Sequence, residues 1–317
     1  MPCAPLIALT VGDPAGIGPE ISLHALAERA VREEMRLLVL GPGALRPAAV
    51  PEVRSPEEMA AGREVAWLGT AVAGEWTMGR AQASAGRAAL AALRSGAELA
   101  LARRVDALVT APVSKEALHL AGEKVEGQTE LLGRWAGAPG VQMLAVAEQL
   151  RVLVHTRHRS LREAIAALDA SEIAGNLAVL DRGLRRLGIA APRLALAGLN
   201  PHASEGGRFG DEEARILAPA AARARERGLD VAGPEPPDTV FLRAARGEFA
   251  GVLALYHDQG FIPVKLLAPD TGVTVLLEIP YLRVSPVHGT AFDLAGRGLA
   301  RPANLIAALR QAARWAR

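Results

Sequence analysis

Three histidines each follow a short apolar run of the chain, and this spacing suggests a metal site. His158, His202 and His257 come a few residues after runs that are typical of buried strands. Parallel strands end at one edge of a sheet, where ligands bind, so we expect these side chains at that edge. Three imidazoles that leave other positions open are typical of a catalytic divalent ion, and a hydrolytic site would use the same ligands. The three runs are Arg151–Val154, Leu194–Leu199 and Gly251–Leu255.

A second group of residues could bind phosphate. Lys115 follows another apolar run, and Gly127–Thr129 opens a predicted helix whose first amides could hold an anion. Lys265 and Arg283 add full positive charges. These residues predict a substrate that carries a phosphate, although ordinary ion pairs would explain Lys115 and Arg283 as well.

Two glycine-rich segments suggest close approach of the backbone to a ligand. The segment Gly12–Glu20 follows the first predicted strand, and glycines there allow a tight turn. It does not match the Rossmann fingerprint, and an ordinary strand-to-helix turn would explain it equally well. The second segment, His288–Gly298, is by itself a glycine-rich loop.

The elements that must position these residues alternate along the chain. Apolar runs alternate with stretches of helical spacing, which predicts an α/β fold with a helix-covered sheet. Besides the three runs above, strands are predicted over Leu6–Val11, Leu37–Leu40, Ala107–Val109, Met143–Val146 and Val273–Leu277. Helices are predicted over Ala81–Arg104, Ser160–Leu168, Ala170–Leu187, Asp211–Gly228 and Arg301–Trp315.

The chain of 317 residues is long enough for two lobes around a cleft. Joints near Gly127 and Ser285–Gly289 predict one lobe from residues 1–127 and 285–317, and a second from residues 128–284 that carries the metal and substrate residues. The net charge of +2 gives no reason to expect nucleic acid or a membrane as partner. Cys3 is the only cysteine, and the start of the chain has no signal-like segment, so we expect a reducing, cytoplasmic setting.

The motifs together resemble a known family. Gly12–Glu20 and His288–Gly298 are similar to the two nucleotide-proximal loops of the isocitrate/isopropylmalate dehydrogenase superfamily, which binds NAD(P) without a Rossmann fold. Within that superfamily the chain resembles the 4-hydroxythreonine-4-phosphate dehydrogenases of pyridoxal phosphate biosynthesis. The segments that carry this resemblance are Asn200–Gly207, Asp238, Tyr256–Gly260 and Val284–Gly296.

The resemblance implies a two-lobed sheet-and-helix fold and a homodimer with its active sites at the interface. It implies that His158, His202 and His257, contributed by both subunits, hold one divalent ion, either zinc, magnesium or cobalt. The residues expected to contact NAD or NADP are Gly12, Asp13, Gly289, Thr290 and Asp293. The expected substrate contacts are Lys115, Gln128, Thr129, Lys265, Thr274 and Arg283, and the expected catalytic residues are Asp238, Asp258 and Lys265.

The reaction expected from the resemblance is oxidation of 4-phosphooxy-L-threonine to a 3-oxo acid, which decarboxylates to 3-amino-2-oxopropyl phosphate. Two positions depart from the family pattern: Gln128 stands where a histidine is usual, and Thr274 where an asparagine is usual. Both can still form hydrogen bonds, but with a different reach and donor set. The same chemistry on erythronate or threonate 4-phosphate is therefore an alternative. More remote ones are a phosphate acyltransferase, which would not need the histidine metal site, and a nucleotide-binding sensor.

Overall fold

The computed structural model describes residues 4–59, 63–72 and 74–316, and the chain divides into two compact units. Unit 1 comprises Met1–Val141 together with Val273–Arg317, and unit 2 comprises Gln142–Gly272. Cys3 lies outside the described residues. Within the described ranges, no helix has both the length and the apolar character that crossing a bilayer requires.

The strands and helices are numbered in chain order. The strands are β1 (Leu6–Thr10), β2 (Arg36–Pro42), β3 (Glu52–Val53), β4 (Val65–Thr70), β5 (Ala107–Thr110), β6 (Gln142–Ala147), β7 (Leu150–Val154), β8 (Leu194–Ala197), β9 (Val231–Glu235), β10 (Gly251–Ala254), β11 (Val273–Leu277) and β12 (Arg283–Pro286). The α-helices are α1 (Gly18–Ala27), α2 (Arg29–Glu34), α3 (Ala83–Leu101), α4 (Lys115–Leu120), α5 (Gln128–Trp135), α6 (Leu161–Ala166), α7 (Ala170–Arg186), α8 (Ala218–Glu226), α9 (Val240–Ala245), α10 (His257–Leu267) and α11 (Ala303–Trp315).

The strands of unit 1 follow the order β3-β4-β2-β1-β5-β12-β11. All neighbours in this series are parallel except β11 and β12, which are antiparallel. The strand β1 is buried along its whole length, as expected for a central parallel strand that is covered on both faces. Helix α3 buries one face, including Leu93 and Ala97, and packs against β1, β2 and β5.

The strands of unit 2 follow the order β6-β7-β10-β8-β9. Strands β7, β10, β8 and β9 are mutually parallel, and β6 is antiparallel to β7. Helix α10 packs closely against β7, because a Cβ on Gly260 would come within 2.8 Å of Val152 and Val154. Glycine at this position therefore allows the helix that begins at His257 to lie directly on the sheet.

The unit boundaries differ from the predicted lobe limits at residues 127 and 285. Strand β12 pairs with β5, and β11 pairs with β12, so both strands belong with unit 1. The predicted substrate residues Gln128, Thr129, Thr274 and Arg283 consequently lie in unit 1, while the three histidines, Asp238, Asp258 and Lys265 lie in unit 2. Both ends of the chain fall in the same unit.

Candidate active site

The three predicted metal histidines lie at one edge of the sheet of unit 2. Strand β10 lies between β7 and β8 and is parallel to both, so the carboxyl ends of all three strands share that edge. His158 follows β7, His202 follows β8, and His257 begins α10 three residues after the end of β10. The structure thus places each histidine just beyond a strand end, where the sequence predicted it.

His257 is held by its neighbours on α10. Its ring stacks on Phe261 with 4.4 Å between ring centroids, and its Nδ1 lies 2.6 Å from Oδ1 of Asp258. A carboxylate at Nδ1 favours the tautomer that leaves Nε2 as the ligand-binding nitrogen. The ring of His158 lies beside that of His257, with 6.4 Å between their centroids.

His202 lies in a turn of unusual backbone geometry. The four residues His202 to Glu205 have φ values between 44° and 71°, in the left-handed region. This conformation costs roughly 1–2 kcal/mol for each residue other than glycine. The buried carboxylate of Glu213 stabilises the start of the turn, because it accepts hydrogen bonds from the backbone N–H groups of Leu199 at 2.8 Å and Asn200 at 2.7 Å.

The carboxylate of Asp238 lies close to His202, with 3.8 Å between Oδ2 and Nδ1. Both side chains are more than half exposed, at 62% for His202 and 56% for Asp238. In the part of the chain that the structure describes, no three histidine, cysteine or acidic side chains come together closely enough to hold a metal ion. Three imidazoles and nearby carboxylates are suitable ligands for a divalent ion. Within a single chain, however, His158 lies next to His257, while His202 lies next to Asp238.

An apolar groove adjoins these acids in unit 2. It has a volume of about 690 Å³, and Asp238 and Asp258 line it together with Phe241. Helix α10 contributes Ile262 and Leu266, which are 57% and 78% exposed. Lys265 lies between these two in sequence and is also exposed.

The predicted substrate residues of unit 1 centre on Arg283 of β12. Its side chain is buried, and Nε and Nη2 donate to the hydroxyl of Thr110 at 3.1 and 2.6 Å. Nη2 also donates to Oε1 of Gln128 at 3.2 Å, and Nε2 of Gln128 donates to the carbonyl of Ala111. Gln128 and Arg283 are therefore joined directly.

Burial lowers the pKa of Arg283 to about 10, opposed by Tyr281 and Glu130. The group therefore remains a cation at neutral pH. Burial raises the pKa of Tyr281 to about 12, so its phenol stays neutral. Among the described residues, no carboxylate lies within ion-pair distance of Arg283, and the hydroxyl of Tyr281 has no hydrogen-bond partner. A buried cation whose described hydrogen-bond partners, Thr110 and Gln128, are both neutral is well suited to an anionic ligand.

The other predicted substrate residues of unit 1 differ in exposure. Lys115 begins α4, is exposed, and reaches toward α5: its Cε lies 3.5 Å from the position that a Cβ on Gly127 would take. Thr129 lies in the first turn of α5 and is half-buried. The hydroxyl of Thr274 is buried and shares a 2.8 Å hydrogen bond with that of Ser285.

The two predicted cofactor loops pack against each other. The N–H of Ile17 donates to the carbonyl of Thr290 at 3.0 Å, and a Cβ on Gly16 would come within 3.0 Å of Thr290. Asp13 is fully buried, and its Oδ1 accepts from the N–H of Ala15 at 2.9 Å. Burial raises the pKa of Asp13 despite this hydrogen bond.

The second loop leaves room for a ligand. A Cβ on Gly289 would have no described atom within 4 Å, and Gly289 and Asp293 are exposed. Gly12 has a φ of 75°, and a Cβ on it would come within 2.3 Å of the carbonyl oxygen of Pro112, so glycine is required there. The exposed backbone at Gly289, next to Thr290, therefore has space for a nucleotide. Asp13 instead bonds to the backbone of its own loop at Ala15.

Sequence reasoning missed several residues that shape the site. Thr110, Glu213 and Gln259 each bond to a functional segment, but none of them was named as a site residue. Gln259 lies inside the segment Tyr256–Gly260, where the neighbouring His257 and Asp258 were the predicted site residues. Tyr281 was missed as well, although a tyrosine two residues before a predicted substrate arginine was an available signal.

Comparison with known proteins gives consistent results. A family model described as the pyridoxal phosphate biosynthetic protein PdxA matches residues 23–312. A 4-hydroxythreonine-4-phosphate dehydrogenase from Desulforapulum autotrophicum is 39% identical, over 98% of this chain and 95% of that protein. A D-threonate 4-phosphate dehydrogenase from Cupriavidus necator is 41% identical, over 98% and 97% respectively.

Solved structures agree with the sequence comparison. The crystal structure of 4-hydroxythreonine-4-phosphate dehydrogenase from Klebsiella pneumoniae superposes with a TM-score of 0.89 at 39% identity, covering 99% of this chain and 100% of that one. Identity at this level over nearly complete chains shows a shared family as well as a shared mixed α/β fold.

Proposed function

The chain belongs to the PdxA family of pyridoxal phosphate biosynthetic proteins, and we propose that it is a metal-dependent, NAD(P)-linked dehydrogenase. Its proposed substrate is 4-phosphooxy-L-threonine, which is oxidised to the 3-oxo acid and then loses CO2 to give 3-amino-2-oxopropyl phosphate. The observation that carries the proposal is the set of three histidines at adjacent strand ends, two of them beside a carboxylate. The two-lobed arrangement of the superfamily stays a prediction.

His158, His202 and His257 are the proposed ligands of zinc, magnesium or cobalt. When bound, such an ion would supply the Lewis acidity that lowers the pKa of the substrate alcohol, and NAD or NADP would serve as the hydride acceptor. Asp258, next to His257, fixes the orientation of that imidazole through its contact with Nδ1. Asp238 faces the corresponding nitrogen of His202 from 3.8 Å, which is longer than a hydrogen bond.

The proton of the substrate hydroxyl leaves for a base of the chain. We propose that the base is either Asp258 or Lys265, which both lie on α10, and that it accepts the proton directly or through water. One hydride leaves the carbon and one proton leaves the oxygen, so the alcohol becomes a ketone. The base must be regenerated by solvent after each turnover, and the exposure of both side chains allows this.

The anionic groups of the substrate are the proposed ligands of Arg283, Thr129 and Lys115. Arg283 is buried and positively charged, and it is already oriented by Thr110 and Gln128. A planar guanidinium group that is held in place can bind phosphate or carboxylate with two parallel hydrogen bonds. An anion at this position would also compensate the cost of burying the cation.

A homodimer is the proposed assembly. The groove beside Asp238 and Asp258 is bordered by exposed apolar side chains of α10, including Ile262 and Leu266. Apolar area of this kind is commonly covered by another protein surface. A second copy of the chain would also contribute ligands at a place where one chain leaves the histidine set incomplete.

The proposal is tested by incubating the purified protein with NAD or NADP and each candidate metal. Formation of reduced nicotinamide is measured with 4-phosphooxy-L-threonine, and formation of CO2 is measured in parallel. Metal-loaded protein that reduces neither nicotinamide with this substrate or its close analogues would exclude the proposed function.

A second candidate is the same oxidation of a phosphorylated sugar acid, such as D-threonate or D-erythronate 4-phosphate. Gln128 and Thr274 favour it, since they replace the histidine and asparagine expected for the amino-acid substrate. Both replacements are engaged inside unit 1, Gln128 with Arg283 and Thr274 with Ser285. Comparing kcat/KM for the amino acid and the two sugar acids decides between the candidates.

A further inference from the structure

The loops that carry the three histidines are tied together around the backbone of Leu255. This residue immediately follows β10, two positions before His257. Its N–H donates to Oε1 of Gln259 at 2.7 Å, and its carbonyl accepts from the N–H and the hydroxyl of Thr156, at 3.2 and 2.9 Å. Thr156 lies two residues before His158, so the loops after β10 and β7 are joined here.

Gln259 extends the connection to the third loop. Its Nε2 donates to the carbonyl of Gly198 at 2.7 Å, while its Oε1 is bound to Leu255. Gly198 directly follows β8, four residues before His202. The last residues paired between β10 and β8 are Leu253 and Leu196. Gln259 therefore connects the segments that follow these two strands, beyond the last paired residues of the sheet.

The polar side-chain atoms of Gln259 and Thr156 are not available to bind the substrate, because they already bond to the backbone. Both ends of the Gln259 amide are occupied by backbone groups, and the hydroxyl of Thr156, which is buried, is directed to Leu255. The left-handed turn at His202 and the helix at His257 leave the sheet in different conformations. The hydrogen bonds of the Gln259 side chain fix the position of these two segments relative to each other.

We propose that Gln259 and Thr156 are positioning residues that set the geometry of the three metal-binding histidines. The inference rests on the proposed metal site and adds residues that have no ligand role of their own. Partners that orient metal ligands typically change metal affinity or activity by roughly 10–100-fold when they are removed.

The test replaces the two residues in the full-length protein. Gln259→Met removes both bridging bonds at similar length, and Thr156→Val removes the hydroxyl while keeping the branched shape. Thr156→Ser restores the hydroxyl and is the conservative rescue. The matched control is Arg225→Met, because Arg225 also bonds backbone carbonyls in unit 2, those of Val231 and Gly233, away from the histidine loops.

Co2+ alone is the probe, followed by its visible absorption spectrum and by equilibrium dialysis, with thermal unfolding measured on each variant. We expect Gln259→Met and Thr156→Val to weaken Co2+ binding by about tenfold or more and to alter its spectrum. Thr156→Ser and Arg225→Met should bind like the parent protein. If Gln259→Met does not fold, the Thr156 pair alone decides.

The outcomes separate the positioning role from the proposed function. Parent protein that binds Co2+, with variants that bind it equally well, overturns the positioning role and leaves the metal site intact. Loss of affinity in Arg225→Met as large as in Gln259→Met also overturns it, since a general loss of stability would then explain the effect. Parent protein that binds no Co2+, Zn2+ or Mg2+ removes the metal site and the positioning role together.

Discussion

The guanidinium group of Arg283 rests on the hydroxyl of Thr110, which accepts one hydrogen bond from Nε and a second from Nη2. Both residues are buried on neighbouring strands of unit 1, β12 and β5. One hydroxyl oxygen thus satisfies two donors of a cation that has no carboxylate partner among the described residues. Thr110 and Arg283 are therefore expected to contribute differently to the stability of the protein and to substrate binding.

Thr110→Val should destabilise the protein more than Arg283→Met. Valine leaves a buried cation with two unsatisfied donors, at a cost of about 1–3 kcal/mol in the free energy of unfolding. Methionine removes the charge together with its desolvation cost, so stability changes little while substrate binding is lost. Denaturant unfolding and steady-state kinetics measure the two effects, with Thr110→Ser as the control. A Thr110→Val protein as stable as the parent would contradict this account.

Asp13 should make the stability of the protein depend on pH in an unusual direction. Burial raises its pKa in the folded state above the ordinary 3.8. Its contribution to stability is therefore complete below the unfolded-state value and is lost as the pH rises through the folded value. The parent protein should lose stability relative to Asp13→Asn as the pH increases above about 4.

Asp169 supplies a control of opposite sign. It caps α7, and hydrogen bonds from the N–H groups of Glu172 and Ser171 lower its pKa. Its contribution is present above the ordinary aspartate pKa and is lost as the pH falls through the lowered value. Urea unfolding of both asparagine variants at several pH values measures the two slopes, and slopes of the same sign would refute the assignment for Asp13.

Lys265→Met should reduce kcat/KM sharply and leave the fold unchanged. The side chain is exposed on α10 in a single chain, so little packing is lost. Lys265 is also a predicted substrate contact, and the loss of its ammonium group where that group meets a phosphate or carboxylate should cost roughly 2–4 kcal/mol of transition-state binding. Lys124→Met is the matched control, since Lys124 is an exposed lysine of unit 1 without a predicted role. Equal kinetics in both variants would remove Lys265 from the site.

Much of the fold follows from the sequence because buried parallel strands are continuous apolar runs. All eight predicted strands are present, with ends within two residues of the prediction. Two of the strands that were not predicted lack that pattern: β9 contains Gly233 and Pro234, and β12 contains Arg283 and ends at Pro286. Strand β3 has only two residues, whereas β4 carries the apolar run Val65–Leu68 and was missed despite the pattern. Helix α10 was not predicted because it contains Gly260 and Pro263, and its glycine is explained only by contact with the strands β7 and β10.

The candidate site was predictable to the extent that chemistry is visible in residue types. Histidines at the ends of apolar runs could be recognised, and the structure places them at one sheet edge. Gln259 and Thr156 could not be recognised, because each acts on backbone atoms that are distant in sequence. The lobe limits shifted for a similar reason, since the pairing of β12 with β5 joins residues about 175 positions apart.

In a dimer, the three metal ligands of one site can come from one subunit or from both. Single alanine variants of His158, His202 and His257 should each be inactive, because each lacks one ligand. Two variants can be mixed under conditions that allow subunits to exchange, and heterodimers can be verified by two different affinity tags. A heterodimer then contains two sites, and the distribution of lesions between them depends on which chain supplies each histidine.

If two ligands come from one subunit and the third from the other, two of the three pairwise mixtures should regain activity. When the two altered histidines belong to different sides of a site, one site carries both lesions and the other is intact, so up to half of normal activity per heterodimer returns. When they belong to the same side, each site carries one lesion and the mixture stays inactive. The mixture that stays inactive therefore identifies the two histidines that the same subunit contributes to a site. Verified heterodimers that stay inactive in all three mixtures would show that each chain supplies its own complete set, and the shared site would be wrong while the dehydrogenase activity could still stand.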